Sequence, residues 1–349
     1  MCGSGRHIVF YHLLNDFSGS PKVLAGVIEQ ALLAGHSVEL YTSAGGPLDS
    51  LSHPALKRHV IPYRFEGRSV ATVLRFIGAQ IRGFFSVLRY RRRREAEIYV
   101  NTILPVGAAL GAWLARMRLT VHCHEDVKGK SLTYRLLARM VLPLADKVVC
   151  VSRWQSVRLP RGLKKVEIRP NTLPSHFISQ LRCDPAAAFE KRNVLMISSL
   201  KAYKGIPEFI QLASMLPQYK FTLVAAATRQ EIDRWLAKQG LSPGPNVSIF
   251  PRSAEVAQFY NDASIVVNLS DTGKFLETCG MTALEARAAR LPVIVPRRGG
   301  IAEMITVGVD GLHIDSHDSA ALSDAVARLL TDRPFYLRLS YGNTGTTGE

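Results

Sequence analysis

The chain has 349 residues, too long for one ordinary core, and implies two domains. Hydrophobic residues make up 47% and charged residues 21%, which excludes a disordered chain. The formal charge of +16 is concentrated: residues 1–180 hold 26 Lys and Arg against 11 Asp and Glu, the remainder 18 against 17. An excess of that kind favours anionic partners such as nucleic acid, phosphorylated ligands or membrane surfaces.

In chain order, His7–Tyr11 is a short apolar run, followed by the polar Gly-containing stretch Asn15 to Ser20. Val23, Val27, Ala31 and Leu32 fall at helical spacing, and Gly35 can end that helix before a strand at Ser37–Tyr41. Gly3-Ser4-Gly5 resembles the start of a dinucleotide fingerprint but precedes the first strand, a position that rejects it. Ser69 to Glu95 carries Val70, Val73, Leu74, Ile77, Ile81, Phe84, Phe85 and Leu88, with Arg75, Arg82 and Arg89 seven apart and then Arg91 to Arg94. This predicts one or two amphipathic helices with a basic rim. They either dock on an anionic membrane surface or pack on their own domain with a solvated arginine face.

Ile98 to Ala115 is uncharged over 18 residues, near the lower limit for a membrane-spanning helix. Its Asn101, Pro105, Gly107 and Gly111 fit a buried strand end followed by a small-residue helix instead. Val121-His122-Cys123-His124-Glu125 ends a strand, where ligands of open α/β sheets gather. His122 and His124 share a strand face and could hold a metal, but no third ligand is evident and none is expected. The cysteines Cys2, Cys123, Cys150, Cys183 and Cys279 are scattered and form no CxxC pair, which fits a reducing cytosol. Met1 to Phe10 lacks the apolar core of a signal peptide.

Further strand-like runs are Leu119–Cys123, Lys147–Val151, Val194–Ile197, Phe221–Ala225, Ile265–Leu269 and Pro292–Val295, with helical patterns between most of them. The alternation predicts parallel sheets covered on both faces. Ser179 to Arg192 reads as a linker between two stretches, each large enough for a Rossmann-like domain.

Asn268 to Glu303 is the most informative stretch. Glu277 and Glu285 are eight apart, Glu277 in a loop and Glu285 in the first turn of a helix from about Thr282 to Arg290. Gly280-Met281-Thr282 brings backbone N–H groups to that helix's N-terminus, a suitable cradle for phosphate. Thr282-x-x-Glu285 is also a capping box, so Glu285 could simply close the helix.

Glu277-Thr278-Cys279-Gly280-Met281-Thr282-Ala283-Leu284-Glu285-Ala286, then Leu291-Pro292-Val293-Ile294-Val295, then Gly299-Gly300-Ile301-Ala302-Glu303, resembles the E-x7-E signature of glycosyltransferase family 4. Cys279 departs from it, standing where an aromatic residue is usual. Asn193 to Pro207 resembles the family's strand followed by G-R-L-x-x-x-K-G; Lys204 and Gly205 match, and Ser198 and Ser199 replace Gly and Arg. The strand ending in His124-Glu125 and the loop Asp16-Phe17-Ser18-Gly19-Ser20 also have family counterparts.

The resemblance implies the α/β GT-B fold, two Rossmann-like domains facing across a cleft. Residues 1–180 would be the acceptor-side domain, with the basic segment 69–95. Residues 190–334 would be the donor-nucleotide domain, and 335–349 a partly disordered tail. A family helix that crosses back onto the amino domain would then be short or missing. The activity implied is that of a retaining, metal-independent hexosyltransferase, moving a hexose from a nucleotide-diphosphate sugar to a saccharide. No cofactor is implied. Lys204 would neutralise the departing diphosphate, Glu277 and the residues Thr278 to Thr282 would hold the sugar and phosphates, and Glu285 the ribose. Ser199 would line the same site. His124 would position sugar or acceptor, and Ser18, Gly19 and Ser20 would approach phosphate and acceptor.

The basic amino half suggests a lipid-linked acceptor in surface-polysaccharide or glycoconjugate synthesis. It also suggests a cytoplasmic location, peripheral on the inner face of the cell membrane. The alternatives are a sugar-nucleotide epimerase of the same fold, or a non-enzymatic protein binding anionic membranes or nucleic acid. No nucleic-acid motif supports the last.

Overall fold

The computed structural model describes residues 5–67, 69–93, 95–129 and 131–342. Met1, Cys2, Gly3, Ser4, Arg94 and the tail from 343 onward lie outside the described residues. The chain divides into two compact units, Met1–Thr172 and Leu173–Glu349.

In the first unit seven strands form one parallel sheet: β1 (His7–His12), β2 (Ser37–Thr42), β3 (Leu56–Val60), β4 (Ala96–Asn101), β5 (Arg118–Cys123), β6 (Lys147–Cys150) and β7 (Val166–Ile168). Their order is β3-β2-β1-β4-β5-β6-β7. The helices are α1 (Gly19–Leu33), α2 (Val70–Leu88), α3 (Val106–Leu114), α4 (Leu132–Val141) and the short α5 (Arg153–Ser156). Parallel neighbours require crossovers, and right-handed crossovers put α2, α3 and α4 on one face of the sheet and α1 on the other. The core follows that division. Val9, Ile98, Val100 and Val121 pack with Ala79, Ala108 and Ala138 on the first face. Phe10, Leu40 and Tyr99 pack with Leu24 and Ile28 on the second.

The second unit has six parallel strands: β8 (Asn193–Ser198), β9 (Lys220–Ala225), β10 (Val247–Phe250), β11 (Ile265–Val267), β12 (Val293–Val295) and β13 (Gly311–His313). Their order is β10-β9-β8-β11-β12-β13. Its helices are α6 (Ser175–Ser179), α7 (Pro185–Glu190), α8 (Ile206–Met215), α9 (Arg229–Gln239), α10 (Ala257–Asn261), α11 (Met281–Ala288), α12 (Ser319–Thr331) and α13 (Arg333–Gly342). In both sheets the direction of winding reverses once, between β1 and β4 and between β8 and β11. Loops leaving the carboxyl ends of strands diverge there and leave room for a ligand.

Two expectations change. The stretch from Ser179 to Arg192 is built into the second unit. Asp184 caps α7 by accepting the Ala187 amide at 3.1 Å, and Ala188 and Phe189 are buried. Residues 335–342 of the expected tail are helical: Phe335, Tyr336 and Leu339 of α13 are buried in the core of the second unit. The Tyr336 hydroxyl donates to the Ser264 carbonyl at 2.8 Å, and its ring lies 5.1 Å from that of Phe189.

The uncharged run from Ile98 is β4 followed by α3, as its small residues imply. A Cβ on Gly107 would lie 1.9 Å from the Gln80 carbonyl oxygen, and one on Gly111 2.8 Å from that of Phe84. Glycine at these two positions lets α3 seat against the backbone of α2.

Candidate functional site

The carboxyl-unit site is assembled where the winding of the second sheet reverses. β8 delivers the loop of Ser199 and Lys204, and neighbouring β11 delivers the loop of Glu277. Gly205 adopts φ +87°, and a Cβ there would meet the Leu269 carbonyl oxygen at 2.2 Å. Only glycine permits both the left-handed turn and the close approach. The two loops are tied by the Asp271 amide, which donates to the Tyr203 carbonyl at 2.8 Å. The rings of Tyr203 and Phe275 stack at 5.1 Å.

Across this junction Lys204 Nζ donates to a Glu277 carboxylate oxygen. Ser270 Oγ donates to the same oxygen at 3.3 Å. The ammonium also lies 4.1 Å from the centre of the Phe275 ring, an added cation–π attraction. Both charged side chains are mostly buried. The Glu277 backbone is braced from behind: its carbonyl accepts the Gly300 amide at 2.6 Å, and Gly299 sits at φ +107°.

Three residues on, Gly280 starts α11. A Cβ there would lie 2.3 Å from Ile301 Cδ1, so glycine lets the helix start against the following loop. Gly280 is the N-cap and no side chain caps the helix. The capping box expected at Thr282 is therefore absent. Thr282 already lies inside the helix, and Glu285 is its fifth residue, beyond the first turn. The first turn, Met281 to Ala283, presents backbone N–H groups at the positive end of the helix. Cys279, which replaces an aromatic, packs its sulfur 3.7 Å from that of Met304.

Glu285 is held by a residue the sequence reading did not find. The buried Tyr260 hydroxyl donates to Glu285 Oε2. Burial and the Glu285 carboxylate push the Tyr260 phenol well above its ordinary range, so it remains a donor. Ser199, Lys204, Glu277 to Thr282 and Glu285 thus share one end of the second sheet. The Ser199 carbonyl is occupied by the Lys201 amide at 2.7 Å.

In the amino unit the reversal point is organised by Asn101, fully buried at the end of β4. Asn101 Nδ2 donates to the Ser20 carbonyl at 3.2 Å and lies 3.1 Å from His12 Nδ1. Its Oδ1 lies 2.8 Å from His124 Nε2, which must therefore be the donor. Burial, with His122 and His12 nearby, holds the His124 imidazole well below its usual range, so it works as a neutral ring. The ring of His122 lies 4.1 Å from that of His124, and its Nδ1 is 2.9 Å from the Tyr99 hydroxyl. Burial lowers the His122 imidazole to about 3. Among the described residues no group of three or more His, Cys, Asp or Glu is arranged to hold a metal ion.

Ser18, Gly19 and Ser20 are not a free loop. Ser18 is the N-cap of α1 and Gly19 its first helical residue. The Ser18 amide donates to Asp16 Oδ1 at 3.0 Å, as does its hydroxyl. The exposed start of α1 is thereby linked through Asn101 to His124.

Residues 181–345 match the family model described as glycosyl transferases group 1. A D-inositol 3-phosphate glycosyltransferase of Corynebacterium glutamicum (strain R) is 37% identical over 86 residues, 25% of this chain and 20% of that protein. The chain covers no more than 29% of the length of the first sequence relatives it matches. A sucrose-phosphate synthase from Thermosynechococcus elongatus aligns over 97% of this chain and 93% of its own, with TM-score 0.77 and 20% identity. The Anabaena protein HepE, solved with UDP and glucose, aligns over the same shares with TM-score 0.75 and 18% identity. Two parallel-sheet, Rossmann-like units are the fold of the GT-B glycosyltransferases.

Proposed function

We propose that the chain is a retaining glycosyltransferase that takes its sugar from a nucleotide-diphosphate hexose, a reading supported by the match of residues 181–345 to the glycosyl transferases group 1 model. The observation that carries this reading is the Lys204–Glu277 pair beside the N-terminus of α11, at the β8/β11 reversal point. A diphosphate needs a cation and oriented N–H donors, and a sugar needs carboxylate acceptors; the site offers both within one loop pair. Without donor, Glu277 holds the Lys204 ammonium. When donor binds, the diphosphate takes up that ammonium, and the Glu277 carboxylate turns to the hexose hydroxyls. Glu285, fixed by Tyr260, accepts from the ribose hydroxyls.

In the transfer, the bond from the anomeric carbon to the diphosphate oxygen breaks, a bond to an acceptor hydroxyl oxygen forms, and the hydroxyl proton passes to the departing diphosphate. Negative charge grows on the departing diphosphate, and Lys204 with the α11 amides stabilises it. No step calls for a metal or other cofactor. On the amino unit, His124 and the start of α1 form the acceptor side; with its one N–H given to Asn101, the neutral imidazole keeps only the accepting Nδ1. We take the acceptor to be a lipid-linked saccharide of surface-polysaccharide or glycoconjugate synthesis, met at the cytoplasmic face of the cell membrane. The basic amino half supports that choice.

A thermal-shift screen of UDP-, ADP- and GDP-sugars tests the donor assignment. At least one raises the unfolding midpoint of the wild type, and Lys204→Ala and Glu285→Ala reduce the shift. No shift with any sugar nucleotide sinks the proposal.

A further inference from the structure

α2 is turned inside out relative to an ordinary surface helix. Its buried side consists of Thr72, Ala79, Gly83, Ser86 and Val87, four of them small or polar. Six of its large apolar side chains point away from the core: Val70 is 76% exposed, Leu74 63% and Phe85 62%, with Val73, Ile77 and Ile81 also exposed. At about 100° per residue these six share one arc of the helix. A helix that served only its own domain would bury that arc.

The same pattern recurs on the same layer. α3 touches both α2 and α4. The end of α3 exposes Trp113 and Leu114, and α4 exposes Leu132, Leu136 and Met140, each four residues from the next. Arginines flank these rows. Arg75, Arg82 and Arg89 line one side of α2, Arg91 to Arg93 follow it, and Arg116, Arg118, Arg135 and Arg139 border α3 and α4, all of them exposed. Residues 70–93, 103–124 and 131–141 contain no carboxylate at all.

We infer that this three-helix face docks the protein on an anionic lipid bilayer. α2 lies in the plane of the interface, its apolar arc in the acyl boundary and its arginines at the lipid phosphates. α4 supplies a second, parallel-acting row. Insertion of apolar side chains alone is weak and reversible, and the surrounding cations add the second attraction that stable anchoring needs.

α2 is long and apolar enough to cross a membrane. Its opposite side, however, is committed to the domain, through the backbone contact at Gly107 and the buried 2.8 Å hydrogen bond between Ser86 and Tyr11. It therefore lies on the surface. The exposed rows are mostly aliphatic, which suits acyl chains better than the stacked bases of a nucleic acid. The inference does not rest on the donor chemistry.

Flotation of the full chain with vesicles tests it, comparing phosphatidylglycerol/phosphatidylcholine with phosphatidylcholine alone. The wild type floats with the anionic vesicles at low salt and less at high salt. Ile77→Glu/Phe85→Glu and Leu136→Glu/Met140→Glu each lower the bound fraction about tenfold or more, and Arg82→Glu/Arg89→Glu lowers it similarly. Thermal midpoints of the variants and their sugar-nucleotide shifts are read alongside. Unchanged midpoints separate lost docking from lost folding, and unchanged shifts separate it from failure of the donor reading. Independently, Phe85→Trp emission moves to the blue on adding anionic vesicles. No flotation at low salt, full flotation of both apolar double variants, or a Phe85→Trp spectrum indifferent to lipid overturns the inference. So does a self-association that Ile77→Glu/Phe85→Glu abolishes without lipid binding, or binding to DNA stronger than to vesicles.

Discussion

Lys204→Met and Glu277→Gln should separate nucleotide binding from sugar binding. The Lys204 ammonium is mostly buried, over the Phe275 ring and paired with Glu277. A hydrogen bond to a charged group contributes about 1.5–3 kcal/mol. If Lys204 exchanges Glu277 for a diphosphate, Lys204→Met removes about 2 kcal/mol from nucleotide binding, roughly a thirtyfold rise in Kd. Glu277→Gln acts in the opposite sense on the bare nucleotide. It removes both the competitor for Lys204 and a negative charge that repels phosphate, so the nucleoside diphosphate binds as tightly or tighter. The sugar nucleotide loses its carboxylate acceptor, and its advantage over the bare diphosphate disappears. Isothermal titration of both ligands against wild type and both variants reads all six dissociation constants. Equal weakening of both ligands by Glu277→Gln, or an unchanged Kd in Lys204→Met, refutes the exchange.

Tyr260→Phe removes the donor that fixes Glu285, and nucleotide affinity should fall several-fold by the same titration with little change in the hexose increment. Gly107→Ala drives a Cβ into the Gln80 carbonyl; overpacking of that kind costs about 1–3 kcal/mol, read as a lower thermal midpoint. His122, whose folded-state imidazole is lowered to about 3, binds its proton mainly in the unfolded chain once pH falls below about 6.5. A group depressed in this way destabilises the fold as pH falls from about 6.5 toward 3. Between pH 7 and 5 it costs about 2 kcal/mol, a loss that His122→Asn should remove from the stability profile measured by urea unfolding.

Much of this architecture was legible in the sequence, because buried parallel strands are short apolar runs. The runs at His7, Lys147, Val194 and Phe221 each become a strand within a residue or two of the expected limits. The edge strands escaped: Leu56-Lys57-Arg58-His59-Val60 is paired on one side only and carries polar side chains that no periodicity marks. Glu277, Lys204 and Gly280 were singled out through the run that resembles the family 4 signature, and the structure brings them to one pair of loops. Tyr260, Asn101 and His12 were not. Each acts through a partner 23 to 89 residues away in the chain, and only the sheet order brings them together. The Thr282 capping box was a false signal, since close packing of Gly280 on Ile301 starts the helix without a side-chain cap. The amphipathic period of α2 was readable, but a helical period does not say which face the fold turns outward. Gly107 and Gly111 decide that, by drawing the small-residue side of α2 onto α3.

Following one sugar nucleotide with the purified full chain, with and without a lipid-linked saccharide fraction, while recording the anomeric proton signals, shows whether the chain transfers sugar with retention. Nucleoside diphosphate is released only with acceptor present, and a new glycosidic signal appears with the donor's own anomeric configuration. Release or isomerisation of the donor without acceptor, or an inverted product, contradicts retaining transfer.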